Sequence, residues 1–293
     1  MGMKAARNAL HGSLLLLPAA VLLWAFTYQP ILATILDSFQ STPRGRRPQR
    51  FVGLDHYATM IGDAVFWKAA VNNLIYALAT IPLSIALALA MAMLVNSGIR
   101  GRGLARMAFF TPTVLPMVAV ANIWMFFYTP DYGLLDQVLH AFGLPGNNWL
   151  GDRRTALGAL VAITVWKEAG FFMIFYLAAL QQISPSLIEA ARLEGATGWQ
   201  VFRRVTLPLL TPTTLFIAIN AVINAFRMVD HVFAMTKGGP DNATMLLLYY
   251  IYQVGFSFWD TGYAAALTVV LLVVLAAIAV FQFGYAERRV HYR

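Results

Sequence analysis

Only 12% of the 293 residues are charged, against about 25% in a typical soluble protein, while 59% are hydrophobic. Twenty-one basic and 13 acidic side chains cannot cover a core of that size in water, so the composition indicates a membrane protein. The absence of cysteine excludes disulfides, thiolate metal sites, iron–sulfur clusters and a cysteine nucleophile, and the net charge of +8 reads as membrane topology rather than nucleic-acid binding.

A hydrocarbon layer about 30 Å thick takes about 20 apolar residues to cross as a helix. Six runs qualify: Leu14–Leu36, Ala69–Val95, Leu104–Tyr128, Leu157–Leu180, Leu207–Val229 and Thr261–Phe283. Lys4 and Arg7 precede the first, which is too long for a signal peptide and has no small-residue cleavage site, so it is expected to remain as a helix. The predicted fold is an all-α polytopic membrane protein. It is one domain over 1–293, with cytoplasmic tails at 1–13 and 284–293 and a structured cytoplasmic loop at 182–206.

Six spans place both termini on one side. Lys4, Arg7, Arg100, Arg102, Arg106, Arg192, Arg203, Arg204, Arg288, Arg289 and Arg293 fall in the two tails and the second and fourth loops, which are therefore expected in the cytoplasm. Asp55, Asp63, Asp131, Asp136, Asp152, Asp241 and Asp260 fall on the opposite side. Arg44, Arg46, Arg47 and Arg50 run against this partition. Set among Pro43, Gly45 and Pro48, they read as a solvated loop, or as a patch for lipid headgroups or an acidic partner.

No Gly-rich nucleotide loop or G-x-S-x-G elbow occurs, and Gly101-Arg102-Gly103 lacks a third glycine and a preceding strand. His11, His56, His140, His231 and His291 have no metal-ligand spacing. No catalytic residue, metal or cofactor is expected, so the energy must come from a gradient or from another chain.

The fourth loop, Ser184 to Pro208, reads as two short helices. Ser186 with Glu189 predicts a capping box beside Pro185, Gly195 ends that helix, and Thr197 with Gln200 predicts a second box. Gly195 is free to take a positive φ and turn the chain sharply. Leu187, Ile188, Ala190 and Ala191 offer small apolar groups to a partner's groove, with Arg192, Arg203 and Arg204 around them. A hairpin packed on the chain's own bundle is the alternative.

The spacing Glu189-Ala190-Ala191, Gly195, Val205, Leu207-Pro208 resembles the EAA loop of permease subunits in binding-protein-dependent ABC importers, with Val205 where the family usually has Ile. Phe51 to Tyr57 resembles the F-x-G-L-x-N-[FY] segment of carbohydrate-type permeases, with His56 in place of Asn, and Thr236 to Pro240 resembles their T-x-G-G-P loop. The ending from Gln282 to Arg293 is similar to that of glycerol-3-phosphate and related sugar permeases. The resemblance implies that the loop couples to an ATP-hydrolysing subunit. It further implies a heterodimer with a second, related permease, two ATP-binding-cassette ATPase subunits and an extracytoplasmic solute-binding protein, in a bacterial or archaeal cytoplasmic membrane. The cargo so implied is a sugar, a sugar alcohol or glycerol-3-phosphate.

Within the spans, Asn220, Asn224, Arg227 and His231 recur at spacings that share one helical face, which suits either a solute path or helix–helix hydrogen bonding with an Arg227–Asp230 ion pair. Lys167 and Glu168, beside Trp166, carry the same ambiguity, with an outward-facing position close to the interface as the further alternative. Tyr249, Tyr250 and Tyr252 fit an aromatic platform for sugar rings or an interfacial belt. Pro82, Pro112, Pro116 and Pro212 are expected to kink helices. Two rival functions are a gradient-driven transporter or channel, which lacks an intramembrane acidic relay beyond Glu168, and a membrane-embedded transferase, for which Asp37, Asp55 and Asp63 are a poor acidic set.

Overall fold

Backbone amides and carbonyls cannot stay open in hydrocarbon, and a helix closes them within one segment. The computed structural model describes residues 15–43, 45, 48–98 and 100–289, which are mostly helical, with one isolated antiparallel bridge between Gln40 and Phe51. Lys4, Arg7, His11, Arg44, Arg46, Arg47, His291 and Arg293 lie outside the described residues.

In chain order the helices are α1 (Leu15–Asp37), α2 (Asp55–Gly62), α3 (Ala64–Asn96), α4 (Arg102–Val114), α5 (Met117–Phe127), α6 (Leu134–Ala141), α7 (Ala156–Gln182), α8 (Pro185–Leu193), α9 (Gly198–Val201), α10 (Thr211–Arg227), α11 (Leu247–Tyr252) and α12 (Thr261–Arg289). Among the described residues five stretches are long and apolar enough to cross a membrane: α1, α3, α7, the stretch Thr211–Thr236 that begins with α10, and Thr261–Gln282 of α12.

The run expected as the third span, with kinks at Pro112 and Pro116, is two helices, α4 and α5, bent by 105° at Pro116. Pro116 has no amide hydrogen and drives the preceding Leu115 into extended backbone, ψ 136°, so the helix must stop there. The other prolines do not break their helices. Pro82 and Pro112 lie inside α3 and α4, and Pro212 sits in the first turn of α10, where a missing donor costs nothing.

Internal contacts divide the chain into two units. The first comprises Met1–Asp63 and Ile251–Val274. Here the Phe51 to Tyr57 segment turns at Gly53, φ +60°, and His56 Nε2 meets Gln40 O at 2.9 Å. Asp260 accepts from the Thr42 hydroxyl and, at 3.3 Å, from the Tyr263 N–H, while Tyr263 donates its hydroxyl to Asp63 at 2.7 Å. A Cβ on Gly262 would stand 2.5 Å from Gln40 O, so glycine is what lets the first turn of α12 reach this loop. No residue of α1 is buried.

The second unit comprises Ala64–Tyr250 and Leu275–Arg293. Its centre is the pair α3 and α7. Ala69, Ala77, Ala88 and Ala92 on one helix and Ala156, Ala159, Ala169 and Gly170 on the other are buried, with Tyr76, Phe172 and Tyr176 filling the space between the backbones. Buried amides cross-link the unit: Asn72 donates to Asn242 O at 2.7 Å and Met245 O at 3.1 Å, and Asn73 donates to Ala225 O at 3.3 Å and accepts from Leu247 N–H at 3.2 Å.

Between α5 and α7, the loop around α6 is organised by one buried carboxylate. Asp136 accepts from Asp131 N–H at 3.0 Å, Trp149 Nε1–H at 2.7 Å and Asn147 N–H at 3.2 Å. The Asp131 amide first, with the other two donors, holds its pKa below the ordinary value of 3.8 against the opposing effect of burial.

A Cβ at Gly170 would lie 2.2 Å from Phe109 O, so the α4 and α7 backbones touch at that point. Gly170→Val should therefore force the helices apart and cost about 1–3 kcal/mol or more. The expected result is a lower unfolding temperature and lower yield in detergent; unchanged thermal unfolding would contradict the contact.

Candidate functional site

The loop at 182–206 closes by local hydrogen bonds. Ser184, in extended backbone, is the N-cap of α8 and Pro185 takes the first helical position. The capping box expected at Ser186 and Glu189 does not form, because the ring-fixed φ of Pro185 starts the helix earlier; the Ser186 hydroxyl instead meets that of Ser184 at 2.7 Å.

The helix ends as the glycine requires. Gly195 has φ +84°, its N–H donates to Arg192 O at 3.0 Å, and the Ala196 N–H donates to Ala191 O at 3.0 Å, the paired bonds of a Schellman closure. The second capping box is complete: Thr197 N–H donates to Gln200 Oε1 at 2.7 Å and Gln200 N–H to Thr197 Oγ1 at 3.3 Å. No residue of α8 is buried, and Leu187 and Leu193 are exposed. Glu189, Ala190, Gly195, Leu207 and Pro208 are also exposed, with Ala191 and Val205 half-buried. Past Gly195 the chain is anchored by Val201, Thr206 and Leu210, all buried, through a π-helical turn at Phe202–Thr206.

A second polar constellation lies among α4, α7 and α10. It surrounds a cavity of about 340 Å³ lined by Thr113, Lys167, Glu168, Phe171, Asn224, Arg227, Met228 and Asp230. Glu168 accepts from Asn224 Nδ2 at 3.0 and 3.2 Å. Lys167 does not turn outward: its Nζ donates to Pro112 O, Thr113 O and Leu115 O, while Trp166 packs edge-on against Trp124. Arg227 and Asp230 do not form the ion pair weighed above; among the described residues an ion pair joins Arg153 to Asp241 at 3.3 Å. With the Lys167 protons engaged by carbonyls, Glu168 and Asp230 remain as acceptors and Arg227 as a donor.

The expected polar face is only partly assembled. Asn224 and Arg227 reach the cavity, but the Asn220 amide donates to Phe216 O of its own helix at 2.7 Å. His231 is not on the face at all. Met228 leaves the helix with ψ 115°, and the chain then carries His231 into the core, fully buried, where its Nε2 meets Tyr76 Oη at 3.0 Å and Tyr76 Oη meets Thr164 Oγ1 at 2.6 Å.

Tyr249 and Tyr250 do not border the cavity. Both are buried, and Tyr249 packs edge-on against Phe233 with centroids 4.7 Å apart. Gly238, φ +83°, makes the room: a Cβ there would stand 2.8 Å from Met245 Cε and 3.2 Å from Tyr249 Cε1. Asn72 and Asn73 gave no signal in the sequence, being two amides near the start of a long, mostly apolar, uncharged run.

A family model described as "binding-protein-dependent transport system inner membrane component" matches residues 66–292. The chain is 35% identical to the lactose transport system permease protein LacF of Rhizobium radiobacter over 285 residues, 95% of each chain. It is 32% identical to the sn-glycerol-3-phosphate transport system permease protein UgpA of Agrobacterium fabrum, over 97% of each. Among solved structures, a chain of a bacterial ABC transporter involved in the import of the acidic polysaccharide alginate superposes with a TM-score of 0.86 at 24% identity, covering 98% of this chain and 99% of that one, which is a likeness of fold.

Proposed function

The chain belongs to the family of binding-protein-dependent transport system inner membrane components, and from that premise we propose that it is the permease subunit of an importer carrying a sugar, a sugar alcohol or glycerol-3-phosphate. ATP hydrolysis belongs to two separate ATPase subunits, and this chain catalyses no reaction itself. A second, homologous permease completes the pore, and an extracytoplasmic binding protein delivers the solute. The names of the relatives, a lactose and a glycerol-3-phosphate permease, support the cargo class.

The observation that carries this reading is the exposed hairpin of α8 and α9. It has a rigid two-helix form fixed by its own caps, yet leaves Leu187 and Leu193 uncovered, as a surface built to seat in another protein does. On this reading Glu189, Ala190, Ala191, Gly195, Val205, Leu207 and Pro208 form the coupling element. The partition of basic residues puts the hairpin and both termini in the cytoplasm, and residues 1–293 act as a single permease domain. Asn224, Arg227 and Glu168 border the solute path, where carboxylate and amide acceptors and a guanidinium donor suit a polyhydroxyl cargo.

A Cβ at Gly195 meets nothing of this chain within 4 Å, so within the chain substitution there acts through backbone conformation. Gly195→Val should cost about 1–2 kcal/mol at the turn, uncouple ATP hydrolysis from uptake and leave assembly intact. Since the chain has no cysteine, a single Gly195→Cys in the same complexes reports topology; it should resist an impermeant thiol reagent added from outside. Normal coupled uptake by the valine variant, or labelling of the cysteine from outside, defeats the assignment.

For the path, Asn224→Ala and Arg227→Gln should each lower uptake of the solute presented by the binding protein by about tenfold, the scale of one lost hydrogen bond to a charged group, with complex yield preserved. Asn220→Ala, whose amide serves only its own helix, should change neither. Full uptake by the Asn224→Ala, Arg227→Gln double variant removes this face from the path.

A further inference from the structure

Lys167 lines the cavity, yet its ammonium is committed elsewhere. Nζ lies 3.0 Å from Pro112 O, 3.3 Å from Thr113 O and 2.6 Å from Leu115 O, three acceptors for its three protons. These are carbonyls that the break in the third span leaves open. Pro116 has no N–H to return to Pro112 O four residues back, and extended backbone at Leu115 and Pro116 takes the following amides off the helical path. They also form the negative end of the α4 dipole, where a cation is favoured.

The register that delivers the lysine is set one turn along α7. Gly170 lies against Phe109 O and Thr113 Oγ1, so α4 and α7 run close enough for Lys167, on the same face as Gly170, to reach the end of α4. The neighbours of this contact on both helices belong to the cavity wall: Thr113 on α4 and Glu168 on α7.

We propose that Lys167 is a positioning residue for transport: its ammonium is the built-in donor that keeps the third span broken at Leu115–Pro116 and thereby fixes the cavity wall. An apolar side chain at 167 leaves the carbonyls without donors, and the span relieves them by straightening or by fluctuating between angles. Arginine, also cationic and with donors to spare, retains the cap.

The test is a distance across the break. Met107 and Ile123 are exposed and flank it, and the chain contains no cysteine of its own, so a Met107→Cys, Ile123→Cys pair can carry two nitroxide labels in the purified, assembled complex without solute. In an unbroken helix their Cα atoms would stand about 24 Å apart, and the bend makes the distance shorter. Lys167→Met should broaden the distance distribution or shift it towards that value, and Lys167→Arg should restore the parent distribution. An unchanged distribution in Lys167→Met, or no restoration by arginine, overturns the proposal. Should Lys167→Met fail to assemble, adding Pro116→Ala returns an N–H for Pro112 O and should recover assembly; failure of that double variant to assemble also overturns it. Because no solute is present, the outcome is independent of whether Asn224 and Arg227 line the path.

Discussion

Every amide, carbonyl and charge that enters the hydrocarbon layer has to find its partner inside protein, and this requirement explains more of the structure than any single packing contact. Where a helix is continuous, the backbone answers for itself, and the side chains need only pack; this is the case for α3 and α7, whose buried alanines bring the two axes together. Where the backbone departs from the helix, a polar side chain stands ready. Asn72 takes up the carbonyls of Asn242 and Met245, Asn73 those of Ala225 with the amide of Leu247, and Lys167 those at the end of α4. Polar residues in the spans thus include some that repair the backbone, some that pair with one another, as Tyr76 does with Thr164 and His231, and some, such as Arg227, whose donors remain available to the cavity.

The two candidate regions are built by opposite means. The hairpin at 182–206 takes its turn and its second cap from hydrogen bonds between residues three to five apart in sequence, and buried Val201 and Thr206 anchor its far arm. The cavity draws its lining from α4, α7 and α10, so its shape follows any relative movement of those three elements. Under the roles proposed above, a locally braced element would meet the partner and one shared among three helices would meet the cargo.

Local chemistry made the hairpin legible in the sequence: Thr197 with Gln200 and the turn at Gly195 are encoded by residues close in the chain, and they form as expected. Ser186 and Glu189 misled because Pro185 decides where the helix begins. The span lengths were legible from hydropathy, but the 105° bend was not, since a proline inside an apolar run reads alike whether it is absorbed, as at Pro82 and Pro112, or terminates the helix, as at Pro116. The face through Asn220, Asn224, Arg227 and His231 assumed one unbroken helix, and the extended Met228 ends it before His231. Long-range partners decide such cases. Nothing near Lys167 in sequence states that its acceptors are some fifty residues earlier, or that Glu168 beside it faces Asn224.

The first helix contributes no buried residue to the fold, and the family model begins only at residue 66. Its apolar surface is left uncovered by the other described residues. What α1 supplies to the proposed topology is parity: with the bent pair α4 and α5 counted as one crossing, four candidate spans precede the hairpin at 182–206, and without α1 there would be three. In that topology what the helix must keep is its length and its apolar character, and its loss would change the parity of every crossing that follows.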